Sequence, residues 1–91
     1  MQRRAILRRS SQETELAPRR PSDPLAEIIG RNLLRHRERC KISLEDAANR
    51  LGIDAVALAA YERGKRRAPP EIVYDASLLF DCLISDIMRG L

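Results

Sequence analysis

The chain reads as an all-α protein, and three observations predict it. Apolar residues recur at helical spacing in successive short segments, those segments are bounded by residues that start or stop helices, and no alternating strand pattern appears. The 91 residues suffice for one small domain. A domain of this size buries only a modest share of its surface, so a partner subunit would add stability. Hydrophobic residues make up 44% of the chain and aromatic ones only 3%, which predicts an aliphatic core supplied by Leu, Ile and Ala.

Residues 1–24 hold Pro18, Pro21 and Pro24, paired arginines at 3–4, 8–9 and 19–20, and few apolar side chains to bury. That composition predicts a flexible basic arm, with the folded domain spanning residues 25–91. In the domain, Leu25, Ile28, Ile29, Leu33 and, less regularly, Leu34 trace the stripe of a first helix running to Arg39. It is entered through Asp23 as N-cap and Pro24 in the first turn. Ser43 caps a second helix, with Asp46 reaching back in an approximate capping box; Ala47, Ala48 and Leu51 face inward and Gly52 ends it.

Asp54 caps a third helix that runs to about Arg63 and stops at Gly64, with Lys65-Arg66-Arg67 beyond. Pro69 and Pro70 start a fourth helix through Ile72, Val73, Ala76, Leu79 and Phe80, and Ile84, Ile87 and Met88 indicate a short fifth. The second and third helices, joined by a tight glycine turn, form a helix-turn-helix at the centre of the bundle.

The formal charge is +4, and six arginines against three acids in residues 1–24 leave only +1 for residues 25–91. A basic balance favours polyanions, but a charge this small serves solubility equally well. Two cysteines, Cys40 and Cys82, lie far apart without C-x-x-C spacing or a second ligand type beside them, so no zinc site or redox pair is indicated and a reduced, cytoplasmic setting fits best. The longest apolar run, Ala55 to Tyr61, is seven residues, against roughly 20 for a membrane span. The Arg-rich, Ser-containing start is similar to a transit peptide only superficially, since Glu13 and Glu15 run against it.

A helix beginning at Asp54 after a tight turn can lie in a major groove with its first residues toward base edges. The second helix offers free N–H groups to a phosphate at Ser43. Lys41, Arg50, Arg63, Lys65, Arg66 and Arg67 flank these elements and are candidates for phosphate neutralisation. The outward positions of the third helix are expected to be Ala55, Val56, Ala59 and Ala60, none of which can make a bidentate base contact.

From about Ile28 to Met88 the order of caps and turns resembles the lambda-repressor/Cro-like, or XRE, family of helix-turn-helix domains. The most specific pieces are Ala48-x-x-Leu51-Gly52-Ile53, the exit Tyr61-Glu62-Arg63-Gly64-Lys65-Arg66, and Arg37 in the first helix. The resemblance implies a compact five-helix fold, a pair between Arg37 and Glu62 that fastens helix one to helix three, double-stranded DNA as partner, and a bacterial or phage setting. Departures from the family pattern are Leu44 where a glutamine is common, His36 where an aliphatic residue is usual, and Ala47 where a leucine is common. His36 is expected to be hydrogen-bonded near the core.

Ile72, Leu78, Leu79 and Leu83 add apolar surface where relatives tend to be polar or small, and one helix face cannot bury all four in a monomer. They are the candidate interface for a homodimer or a partner protein. His36 is the sole histidine, no nucleophile sits in a recognisable elbow, and no carboxylates cluster at metal-ligand spacing. No enzyme, cofactor, metal or small-molecule substrate is therefore expected. The expected function is a DNA-binding transcription regulator; the alternative is a protein-interaction module, an anti-repressor or adaptor, on a helix-turn-helix scaffold that has lost base reading.

Overall fold

Five helices, α1 (Pro24–Arg39), α2 (Leu44–Leu51), α3 (Ala55–Glu62), α4 (Pro70–Leu79) and α5 (Ile84–Ile87), follow one another in a computed structural model that describes residues 23–90. The arm expected over residues 1–24 lies, except for Asp23 and Pro24, outside the described residues. No strand occurs among the described residues. α3 packs against α1 and α2, α4 against α2 and α5, and α5 returns to α1.

The core at their centre is aliphatic apart from Phe80 and Tyr61, with Leu33, Leu58, Phe80 and Ile87 all but inaccessible. Burying a side chain of this size contributes about 1.5–3 kcal/mol. Ala47 and Ala48 place the α2 backbone close to this core, where larger side chains would hold it away. Asn32 is also buried, and its Nδ2 donates to the carbonyls of Ile87 and Arg89, each at 2.8 Å, so one carboxamide fastens α1 to the end of α5.

The helix starts follow the sequence in part. Asp23 Oδ1 accepts from the N–H groups of Leu25 at 3.1 Å and Ala26 at 3.4 Å, and Ser43 Oγ accepts from Asp46 N–H at 3.0 Å. The reciprocal half of the α2 capping box is absent, because the Asp46 carboxylate turns to Arg50 instead. Asp54 occupies the N-cap position of α3 with extended backbone, yet its side chain makes no capping bond.

The helix ends share one device. After α1, α2, α3 and α4 the chain takes a left-handed residue at Lys41, Gly52, Gly64 and Asp81 respectively. The next N–H then reaches back five residues: Ile42 to Arg37, Ile53 to Ala48, Lys65 to Ala60 and Cys82 to Ser77. These are Schellman closures. Glycine fills two of the four positions at little steric cost, whereas Lys41 at φ 60° and Asp81 at φ 54° carry a Cβ in a region that disfavours it.

Two sequence expectations are corrected in the core. Ile72 is 7% exposed and belongs to the interior, and Leu79 is half-buried against the core, so α4 absorbs both within the monomer. Their i, i+7 spacing puts them on one stripe of the helix, the stripe that faces inward. His36 is buried, with the Asp86 backbone carbonyl at its ring and its Nδ1 without a hydrogen-bond partner among the described residues.

Candidate nucleic-acid interface

The surface that α2 and α3 share is positioned by two tight backbone contacts and one ion pair. Gly52, at φ 74°, turns the chain between the helices. Gly30 in α1 lies so close to the last turn of α3 that a Cβ there would collide with the carbonyl oxygen of Tyr61 and stand 2.8 Å from that of Glu62. Arg37 then grips Glu62 with Nε to Oε2 at 2.7 Å and Nη2 to Oε1 at 3.0 Å, while its Nη1 donates to the Ile42 carbonyl at 2.9 Å. The pair is mostly withdrawn from water, so the fork fixes the roll of α3 on α1. The bond to Glu62 raises the proton affinity of the Arg37 guanidinium further.

On the α3 exterior Val56 is 82% exposed. Ala59 and Ala60 are half-buried beside it. Ala55 is half-buried and packs on the core, as does Leu44 at the start of α2, so these two are inward-leaning supports rather than outward readers. The first turn of α3 sits close over the core, and that turns Ala55 in while Val56 points out.

The expected cations differ in what they do. Arg63, Lys65 and Arg66 are exposed, and none pairs with a carboxylate among the described residues. Arg66 lies over the Tyr61 ring at 5.6 Å, close enough for a cation–π contact that holds it at the α3 exit. Lys41 and Ser43 are exposed at the approach to α2.

Arg50 and Arg67 are already engaged. Arg50 bonds Asp46 one turn back at 3.3 Å, and Arg67 grips Asp23 through Nη2 at 2.9 Å and Nε at 3.2 Å. The Arg67 bond is the main reason the Asp23 carboxyl is held below its usual value of 3.8. Glu45 and Asp46 in the first turn of α2 are exposed. They place negative charge at that helix start, while Arg63, Lys65 and Arg66 place positive charge at the end of α3.

At the far side, on α4 and the turn into α5, Leu78 is 65% and Leu83 68% exposed. Tyr74 and Ile84 extend this apolar surface. Sequence reasoning missed both of the latter, as well as Gly30 and Asn32. Gly30 lies on the apolar stripe of α1 between Ile29 and Leu33, a position where a glycine inside a helix signals close approach.

Residues 28–76 match the model of a helix-turn-helix domain family, which covers more than half of the chain. No curated protein sequence matches the chain. Among solved structures the chain is similar to the clp gene regulator ClgR from Corynebacterium glutamicum. The TM-score is 0.68 and the identity 21%, over 74% of this chain and 71% of that one. It is also similar to the restriction-modification controller protein C.AhdI from Aeromonas hydrophila, with a TM-score of 0.64 and 21% identity over 68% of this chain and 94% of that one. With the Gly52 turn, the Arg37 fork and the Tyr61-to-Arg66 exit in place, the chain belongs to the helix-turn-helix domain family.

Proposed function

We propose that this protein is a DNA-binding transcription regulator that sets α3 in the major groove and holds it there chiefly through phosphate contacts. The observation that carries the reading is the exposed apolar tip at Val56 followed by Arg63, Lys65 and Arg66, none of them paired with a carboxylate among the described residues. Two structural relatives described as a clp gene regulator and a restriction-modification controller support it. Lys41 and Ser43 supply a second, weaker anchor at α2, because Glu45 and Asp46 beside them repel phosphate.

Base readout is intrinsically weak in this proposal. Val56, Ala59 and Ala60 offer methyl groups to thymine but no hydrogen-bond donor or acceptor, so the roughly 1–3 kcal/mol per bidentate pair is missing. Selectivity then rests on DNA shape or on a second protein. A C2 dimer formed through Leu78 and Leu83 would set two α3 helices about one DNA turn apart.

A titration with random and genomic duplexes at two salt concentrations tests the proposal. Affinity should fall with a log–log slope of about 0.9 per phosphate contacted. Replacing Lys65 and Arg66 by Ala should flatten that slope by about 1 per residue. Val56→Glu should abolish binding while leaving stability within about 0.5 kcal/mol, since it puts a carboxylate on an exposed position. The second reading, a protein-interaction module, draws on that same apolar tip, which packs well against a partner helix. Absence of duplex binding at low salt would select it.

A further inference from the structure

Between the C-terminal half of α1 and α5 lies a cavity of about 200 Å³, lined by Arg35, His36, Arg39, Asp86 and Arg89. We infer that this cleft is a binding site for a phosphate-type dianion, held by the guanidinium groups of Arg35, Arg39 and Arg89. The site is distinct from the α2–α3 surface, and its existence does not depend on DNA binding there.

Charge balance is the first argument. Three guanidinium groups converge on one concavity with a single carboxylate among its lining residues, and that carboxylate is spent. Asp86 Oδ1 accepts from Arg89 at 2.9 Å, and its Oδ2 accepts from Leu83 N–H at 3.0 Å. Arg35 and Arg39 pair with no carboxylate among the described residues. The lining therefore carries an excess of two positive charges, which a dianion cancels.

Donor supply is the second. Arg35 gives one N–H to Asn32 Oδ1 at 3.0 Å, and Arg39 gives one, weakly, to the Phe80 carbonyl at 3.5 Å. Arg89 gives one to Asp86. A guanidinium has several more donors in a planar fork, which suits the oxygens of a tetrahedral oxyanion. The α1 dipole favours cations in its last turn and so accounts for Arg39. It gives no reason for Arg35 a turn earlier and Arg89 from another element to meet it.

The neighbouring imidazole reports the same field. Protonation of His36 is disfavoured first by burial and next by Arg39, with Arg35 adding to it. Asp86, through its charge and its backbone carbonyl, opposes them. Burial first, and Asp86 next, push the Cys82 thiol up, while Arg39 opposes them.

His36 is the only histidine in the chain, so its imidazole signals in an NMR spectrum are unambiguous. Sodium phosphate is titrated into the full chain against sodium chloride of equal ionic strength, and the His36 signals are followed at several pH values. The expected result is saturable binding of phosphate but not chloride, with the His36 titration midpoint moving upward as the dianion is bound. Arg39→Gln alone, and Arg35→Gln with Arg89→Gln, should each weaken it by about tenfold or more. Arg39→Gln loses only one long contact to the fold, and it keeps the test open if the double variant unfolds. A shift with inorganic phosphate and none with a short duplex would identify a free or small-molecule phosphate, whereas a duplex that reproduces the shift would show that singly charged phosphodiesters satisfy the cleft and would overturn its assignment to a dianion. A response identical to that of chloride, or saturable binding undiminished in both variants, would overturn the site.

Discussion

Arg37 and Glu62 form a two-point ion pair across the α1–α3 contact, and the third donor of the same guanidinium closes the α1–α2 connection at Ile42. With side-chain exposures of 14% and 6%, the pair couples the orientation of α3 to the end of α1. Removing Arg37 alone should cost about 3–5 kcal/mol, because it leaves a buried carboxylate uncompensated. Replacing both partners by apolar residues of similar volume should cost much less. Urea unfolding of Arg37→Met, Glu62→Leu and the double variant measures the difference. Equal losses in the single and double variants would show that the charge pair is not the source of the effect.

Gly30→Ala should destabilise the fold by about 1–3 kcal/mol or more, since the added methyl meets backbone rather than a yielding side chain. Alanine normally improves a helix interior by close to 1 kcal/mol. The sign of the change in melting temperature therefore decides whether the Tyr61 and Glu62 carbonyls stand as close to α1 as described.

Asp81→Gly should stabilise the protein. Asp81 is exposed and holds φ at 54°, so glycine relieves roughly 1 kcal/mol of left-handed strain, less the entropy it adds to the unfolded chain. Thermal unfolding of this variant beside Gly52→Ala, which imposes the same strain at φ 74°, should give shifts of opposite sign.

Stability should decline on acidification through the histidine range. The folded-state value of His36 is lowered, by burial first and Arg39 second, so the unfolded chain binds a proton more readily than the folded one. The stabilisation is complete above the unfolded value of 6.5 and is lost as pH falls below it toward the folded value. Asp23, lowered from 3.8 by Arg67, acts in the same direction at more acid pH. Melting temperatures from neutral pH downward should show the first decline in the native chain and not in His36→Leu.

The order of helices and most of their boundaries were legible because those boundaries carry local signals, which the stops at Lys41 and Asp81 lack. Asp23-Pro24, Ser43, Gly52, Gly64 and the Pro69-Pro70 pair act within a turn of themselves, and so they read directly from the chain. What depended on rotation was harder. Ala55 and Val56 are neighbours of similar character, and only packing on Leu58 and the rest of the core decides which one turns outward. Ile72 and Leu79 looked like surplus apolar surface because the depth available beneath α4 is set by small residues elsewhere, Ala47 and Ala48 among them.

The charged sites divide in the same way. Arg37 and Glu62 stand 25 positions apart, and their meeting was an implication of resemblance rather than of spacing. Engagement of Arg67 by Asp23 had no local sign at all, since 44 positions separate them. The convergence of Arg35, Arg39 and Arg89 needs α5 to fold back on α1, a contact that the buried Asn32 amide secures and that no periodicity announces.

The Asp23–Arg67 clasp makes one guanidinium the object of rival claims. The Asp23 carboxylate that holds it also caps the first turn of α1, while the loop it stands on follows the basic exit of α3. Any polyanion that recruits Arg67 must therefore win it from a neighbour already in place, and the winning leaves that first turn less well anchored. Capture of an anion by Arg67 and tightness at the head of the bundle are in this way set against each other by a single side chain.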